Sequence, residues 1–164
     1  VAALDLVGRG AAQRVLVVDL DVHQGDGTAA IFAGDERVFT FSMHGERNFP
    51  LRKQQSDLDV PLADGTGDEE YLAALDKHLA AALERSRPQF VLYQGGVDPL
   101  EQDKLGRLAL THAGLAERDR RVFETARRLG LPLVATLGGG YADPIEPTLE
   151  AHVNTYQVAR EVFG

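Results

Sequence analysis

The 164 residues are 44% hydrophobic and 26% charged, the balance of one soluble globular domain and not of a disordered, fibrous or membrane-spanning chain. Seventeen basic against 25 acidic side chains give a formal net charge of -8, which argues against direct nucleic-acid binding. With no cysteine there is neither a disulfide framework nor a thiolate metal site, so a metal would have to use the five histidines and the carboxylates.

The chain opens on Val1 in an apolar run that reads as the tail of a helix, which raises the expectation that residues upstream are missing. After the break at Gly8 to Gly10, Arg14-Val-Leu-Val-Val-Asp19 is rich in β-branched residues, the pattern of a strand buried on both faces. A short helix follows from Gly27 through Phe32, and a second strand is expected at Val38 to Ser42. His44 to Gly67 is the longest irregular passage, with a short strand at Leu58 to Leu62. A helix from Asp68 to Ser86 opens on three acids and stops before Pro88. Strand Phe90 to Tyr93, helix Thr111 to Leu129 closed by Gly130, strand Leu133 to Leu137 and a helix from about Pro147 to Phe163 complete the series. The alternation predicts a parallel α/β sheet. No run is long and apolar enough for a membrane helix, and no signal peptide is visible, so a cytoplasmic location with no membrane partner is expected.

The chemistry concentrates where strands end. Asp19-Leu-Asp21-Val-His23-Gln-Gly-Asp26-Gly27 follows the first strand, and in an extended segment Asp19, Asp21 and His23 project to one side. Carboxylate and imidazole suit zinc, which takes such ligands at roughly 2.0–2.2 Å. Asp98, in Gln94-Gly-Gly-Val-Asp98, is the best third ligand because it follows its own strand in the same way. Gly138-Gly-Gly-Tyr141 follows another strand and would bring the Tyr141 hydroxyl into the same crevice. Taken singly, each motif has an ordinary reading as a turn cap, a solvated carboxylate or a flexible turn, and Asp-x-Asp after a strand also begins magnesium-dependent haloacid-dehalogenase-like phosphohydrolases. His78, His112 and His152 are expected on helix faces, and Arg118, Arg120, Arg121, Arg127 and Arg128 on the solvated face of their helix.

These motifs, together with Phe39-Thr-Phe-Ser-Met-His44 and Asp103-Lys-Leu-Gly106, resemble the zinc-dependent histone deacetylase family over essentially the whole chain, most closely its class IV and bacterial branch. The resemblance implies a three-layer α/β/α arginase/deacetylase-type parallel sheet, with the chain forming one domain, the C-terminal portion of the catalytic domain, incomplete at its N-terminus. It implies removal of acyl groups from lysine or related amines, with Asp21, His23 and Asp98 as zinc ligands and Tyr141 polarising the scissile carbonyl. It places a structural potassium ion at Asp19, Asp21, His23, Ser42 and Met43, and a second monovalent site around Phe32, Asp35 and Val38. Gly139, Gly140 and Phe49 are its substrate-binding candidates, Phe49-Pro50 contributing to the wall of an acyl-lysine channel. Asp19 and Asp26 match carboxylates that orient two adjacent catalytic histidines. No His-His pair occurs in this sequence, and Gln24 stands where many relatives have His. The chain alone is therefore expected to be inactive and poorly stable, or else to be a non-catalytic form that binds acylated ligands or a partner. Its oligomeric state is left open.

Overall fold

In the computed structural model, which describes residues 1–164, the apolar runs pair as one five-stranded parallel sheet. The strands are β1 (Val15–Asp19), β2 (Val38–Gly45), β3 (Leu58–Leu62), β4 (Phe90–Gln94) and β5 (Leu133–Thr136), in the order β3-β2-β1-β4-β5. From β1 the chain first winds outward through β2 to β3, then returns to β1's other side with β4 and β5. The carboxyl ends of β1 and β4 therefore flank a topological switch point, the place where open α/β sheets bind ligands. Register sets Asp19 opposite Ser42 on one side and opposite Gln94 on the other.

The helices are α1 (Ala2–Gly8), α2 (Asp26–Phe32), α3 (Asp68–Ser86), α4 (His112–Arg128) and α5 (Glu146–Phe163). None is long and apolar enough to cross a membrane. Their limits follow local chemistry. Thr111 caps α4 by accepting a hydrogen bond from Gly114 N at 3.0 Å, and Asp68 at the start of α3 accepts from Thr111 N and Oγ1, which ties the two helix ends together. α3 closes on Arg87, whose φ of 43° ends the helix just before Pro88.

The main core lies between the sheet and α3, α4 and α5, where Leu16, Val18, Phe41, Met43, Val91 and Tyr93 meet Tyr71, Leu75, Phe123 and Val158. A smaller cluster of Val15, Val38, Ala3, Ala12 and Phe32 lies on the opposite face, under α1 and α2. Two expectations change here. β2 runs three residues further than its β-branched signal, through Met43 and His44 to Gly45. The strand reading of burial on both faces holds for β1 and β2, only in part for β4, whose Phe90, Leu92 and Gln94 are half-buried, and not for β5, where Leu133 and Ala135 are half-buried and Val134 and Thr136 exposed.

Candidate metal centre

β1 ends at Asp19, and the next residues bend away from the strand instead of continuing it. The extended segment expected to align Asp19, Asp21 and His23 is therefore absent, and two successive side-chain turns do the work. Asp19 Oδ1 accepts from Asp21 N at 3.2 Å, and Asp21 Oδ1 accepts from His23 N at 2.9 Å. From β4, Gly95-Gly96-Val97 carries Asp98 back beneath this turn, where it is 0% exposed and accepts from Val22 N at 2.9 Å. Gly96 permits that approach, because a Cβ there would lie 2.6–2.9 Å from atoms of Asp21.

The result is convergence on one point. His23 Nδ1 lies 3.0 Å from Asp21 Oδ1 and 3.1 Å from Asp98 Oδ2. One ligand atom from each of the three residues falls within 4.8 Å of the others. Tetrahedral ligands at zinc distances are about 3.3 Å apart, so the spacing suits such an ion. The electrostatics point the same way. Hydrogen bonds to Asp21 and then Asp98 push the His23 imidazole up to about 10. Burial would raise Asp21, but the His23 ring and backbone N–H outweigh it and hold that carboxyl below its ordinary value. Burial raises Asp98, with Asp21 adding repulsion. Asp19, also buried and repelled by Asp21, rises to about 8. Asp19, Asp21 and Asp98 around one imidazole thus favour positive charge at this point, whether a proton or a metal cation.

The loop after β5 passes over this cluster. Gly139 has φ 58° and Gly140 φ 100°, and a methyl group on Gly139 would overlap the Asp98 carboxylate. Tyr141 follows, 51% exposed, its N–H donating to Asp103 Oδ2 at 2.6 Å. Asp103 also accepts from Leu105 N and Gly106 N, so it fixes the loop that holds Tyr141. The sequence marked Asp103 without giving it this task, which only a contact across 38 residues reveals.

Ser42 and Met43 sit buried on β2 beside the β1 end, with Ser42 Oγ 2.9 Å from the buried His44 Nδ1. Around the second monovalent candidate, Asp35 N donates to Phe32 O and Val38 N to Asp35 O, while the Asp35 carboxylate pairs with Arg37. Gln24 turns away from the cluster, its amide holding Gln54 and Asp59. Asp26 opens α2, and its carboxylate accepts from Gly27 N. Phe49 is 67% exposed on the loop after β2, where Asn48 and Pro50 carbonyls accept from Lys53 Nζ. Neither Asp26 nor Phe49 joins the three converging residues. His112 Nε2 donates to the Pro147 carbonyl at 3.0 Å, joining α4 to α5. One reading fails outright. Arg118, expected on the solvated face of α4, is wholly buried together with Asp119, because that turn of the helix faces the sheet.

Comparison with known proteins shows the family. The family model described as histone deacetylase domain matches residues 1–156. The chain is 48% identical over 163 residues to an uncharacterized protein of Picosynechococcus sp., covering 99% of this chain and 54% of that one. It is 37% identical over 131 residues to histone deacetylase 2 of Arabidopsis thaliana, covering 78% and 34%. The crystal structure of an acetylpolyamine aminohydrolase from Burkholderia pseudomallei superposes with a TM-score of 0.81 at 25% identity, covering 99% of this chain and 50% of that one. The chain thus spans about half the length of the first of these relatives and less of the second.

Proposed function

Since the chain belongs to the histone deacetylase family, we propose that it forms the C-terminal portion of the catalytic domain of a zinc-dependent hydrolase that removes acetyl or other acyl groups from lysine or related amines. The observation that carries this reading is the convergence of His23 Nδ1, Asp21 Oδ1 and Asp98 Oδ2 at the switch point of the sheet. One imidazole nitrogen and two carboxylate oxygens are a catalytic zinc set, leaving a fourth position for substrate or water. Zinc held there would polarise the acyl carbonyl and acidify water. Family membership, with a histidine inside the cluster, leaves the phosphohydrolase reading without support.

The protein's own groups then have distinct tasks. The Tyr141 hydroxyl donates a hydrogen bond to the acyl oxygen as charge develops on it, and Asp103 holds the Tyr141 backbone for that purpose. Gly139 and Gly140 give the substrate a close backbone surface, and exposed Phe49 supplies apolar wall for an acylated side chain. Asp19 receives only one hydrogen bond, from Asp21 N, and keeps acceptor capacity for an imidazole. Asp26 would orient the second imidazole. A structural potassium ion would be held at the junction of Asp19, Asp21, His23, Ser42 and Met43, a reading supported by the register of Asp19 with Ser42 and the burial of Asp19, Ser42 and Met43. A general base is not supplied by an adjacent His pair within these 164 residues, so turnover requires groups from outside them.

The test pairs metal analysis with hydrolysis of an acetyl-lysine peptide and an acetylated polyamine. We expect the natural full-length protein to bind zinc stoichiometrically and to cleave at least one substrate, and residues 1–164 alone to cleave neither. Absence of zinc binding in both forms would sink the metal reading.

A further inference from the structure

Arg118 is the largest fully buried side chain in the protein, 0% exposed. It reaches from α4 under the sheet edge, and its Nη1 donates to Gly96 O at 2.6 Å and points to Leu20 O at 3.3 Å. Both carbonyls are buried, and no backbone N–H donates to either. Leu20 stands between Asp19 and Asp21, and Gly96 lies two residues before Asp98 with its backbone packed on Asp21. The guanidinium thus fastens the two turns that deliver the converging side chains.

The rest of the network holds the guanidinium. Arg118 Nε donates to Asp119 Oδ1 at 2.9 Å, and Nη2 lies 2.8 Å from the same oxygen but off the line of a good hydrogen bond. Asp119 in turn accepts from the Tyr93 hydroxyl of β4 and from Thr155 Oγ1 of α5 at 2.6 Å. Burying a charge is costly, and a well-packed apolar side chain often stabilises a core as well or better. Stability alone gives a weak account of Arg118, whereas a planar group that bridges two carbonyls through Nη1 while Nε is held by Asp119 gives a specific one.

We propose that Arg118 is a positioning residue for the metal centre, tying Leu20 O to Gly96 O so that Asp21, His23 and Asp98 converge before the ion arrives. The inference rests on the metal reading above. Its test uses the natural full-length protein with Arg118→Met, Arg118→Lys and Tyr93→Phe. Zinc affinity is read by competition with a chromophoric chelator, and hydrogen exchange is followed on the metal-free protein at residues 20–23 and 96–98. Arg118→Met should weaken zinc binding by roughly 10- to 100-fold, the range for loss of a group supporting metal ligands. It should speed exchange in those two segments while β3 amides stay protected. Arg118→Lys keeps the charge but not the fork and should fall between, and Tyr93→Phe should give the smallest change. A folded Arg118→Met protein with unchanged zinc affinity and unchanged local exchange would overturn the proposal, even with a lowered melting temperature. If Arg118→Met does not fold, Arg118→Lys decides by the same two readouts. If the unaltered protein binds no zinc, the metal reading fails, and the exchange measurement still decides whether Arg118 holds the two turns.

Discussion

Toward α3, α4 and α5 the sheet presents Leu16, Val18, Met43, Val91 and Tyr93, all buried, whereas toward α1 and α2 it presents Val17, Leu92 and Val134, of which Val134 is 47% exposed. Both sets come from the same apolar runs. On the first face three helices close the core, and the Arg118–Asp119 pair within it reaches the turns that carry Asp21, His23 and Asp98. On the second face two seven-residue helices leave a cavity of about 240 Å³ lined in part by Val1, Val17, Phe32, Leu92 and Val134. Dense packing therefore lies on the face from which Arg118 reaches the converging turns, and sparser packing on the other face of the same strands.

If the two faces differ in this way, changes at the converging turns should act on metal and chemistry, and changes on the sparse face should not. The largest effect is expected from Asp98→Ala, which removes a ligand and leaves the buried Val22 N–H without its acceptor. Zinc affinity should fall by more than the roughly 100-fold that loss of an outer supporting group costs. The rise in melting temperature on adding zinc, worth about 2.7 kcal/mol at a concentration 100 times Kd, should vanish with it. Calorimetry with and without a chelator checks both. An Asp98→Ala protein that kept its zinc-induced shift would place the metal elsewhere.

Tyr141→Phe comes next. It removes a hydroxyl that takes no part in the convergence, so zinc affinity should stay while turnover by the full-length protein drops about 100- to 1,000-fold. Near-normal kcat would strip Tyr141 of its assigned role. Gly139→Ala is smaller and mixed. The backbone there is left-handed, which costs a side chain on the order of 1–3 kcal/mol, and the added methyl would push against Asp98. Both melting temperature and zinc affinity should fall together. A loss of stability with intact affinity would mean that the loop yields without disturbing the carboxylate.

How far these features were legible in the sequence depends on the range of the interaction. The strands announced themselves by local β-branched runs, α3 by its acidic start and the proline after its end, and α4 by Thr111 and Gly130. The convergence of Asp21, His23 and Asp98 was legible because all three lie in the segments that follow β1 and β4, although the geometry that joins Asp19 to His23 is a pair of side-chain turns and not an extended segment. Arg118 was misread because its neighbours Glu117, Arg120 and Arg121 are charged and exposed or half-exposed, and helical charge patterning does not reveal which turn faces the sheet. Its partners Leu20 and Gly96 lie 98 and 22 residues away, beyond any local pattern. Asp103 was hidden for the same reason.

The smallest effect on folding is expected from Val134→Lys, and it bears most directly on the contrast between the faces. Val134 is exposed in β5, a strand at the open edge of the sheet, and its neighbours Leu133 and Ala135 point to the packed side. An exposed apolar residue on an edge strand invites pairing with another copy, and an edge lysine opposes it. For residues 1–164 the change should leave the unfolding free energy within about 0.5 kcal/mol of the original, as for other surface substitutions. Zinc affinity should be unaltered, while concentration-dependent association, followed by light scattering, decreases. If Val134→Lys instead weakened zinc binding as strongly as Gly139→Ala, the sparse face would be coupled to the metal turns through β4 and β5. The packing of α4 and α5 would then not be sufficient to hold the ligands.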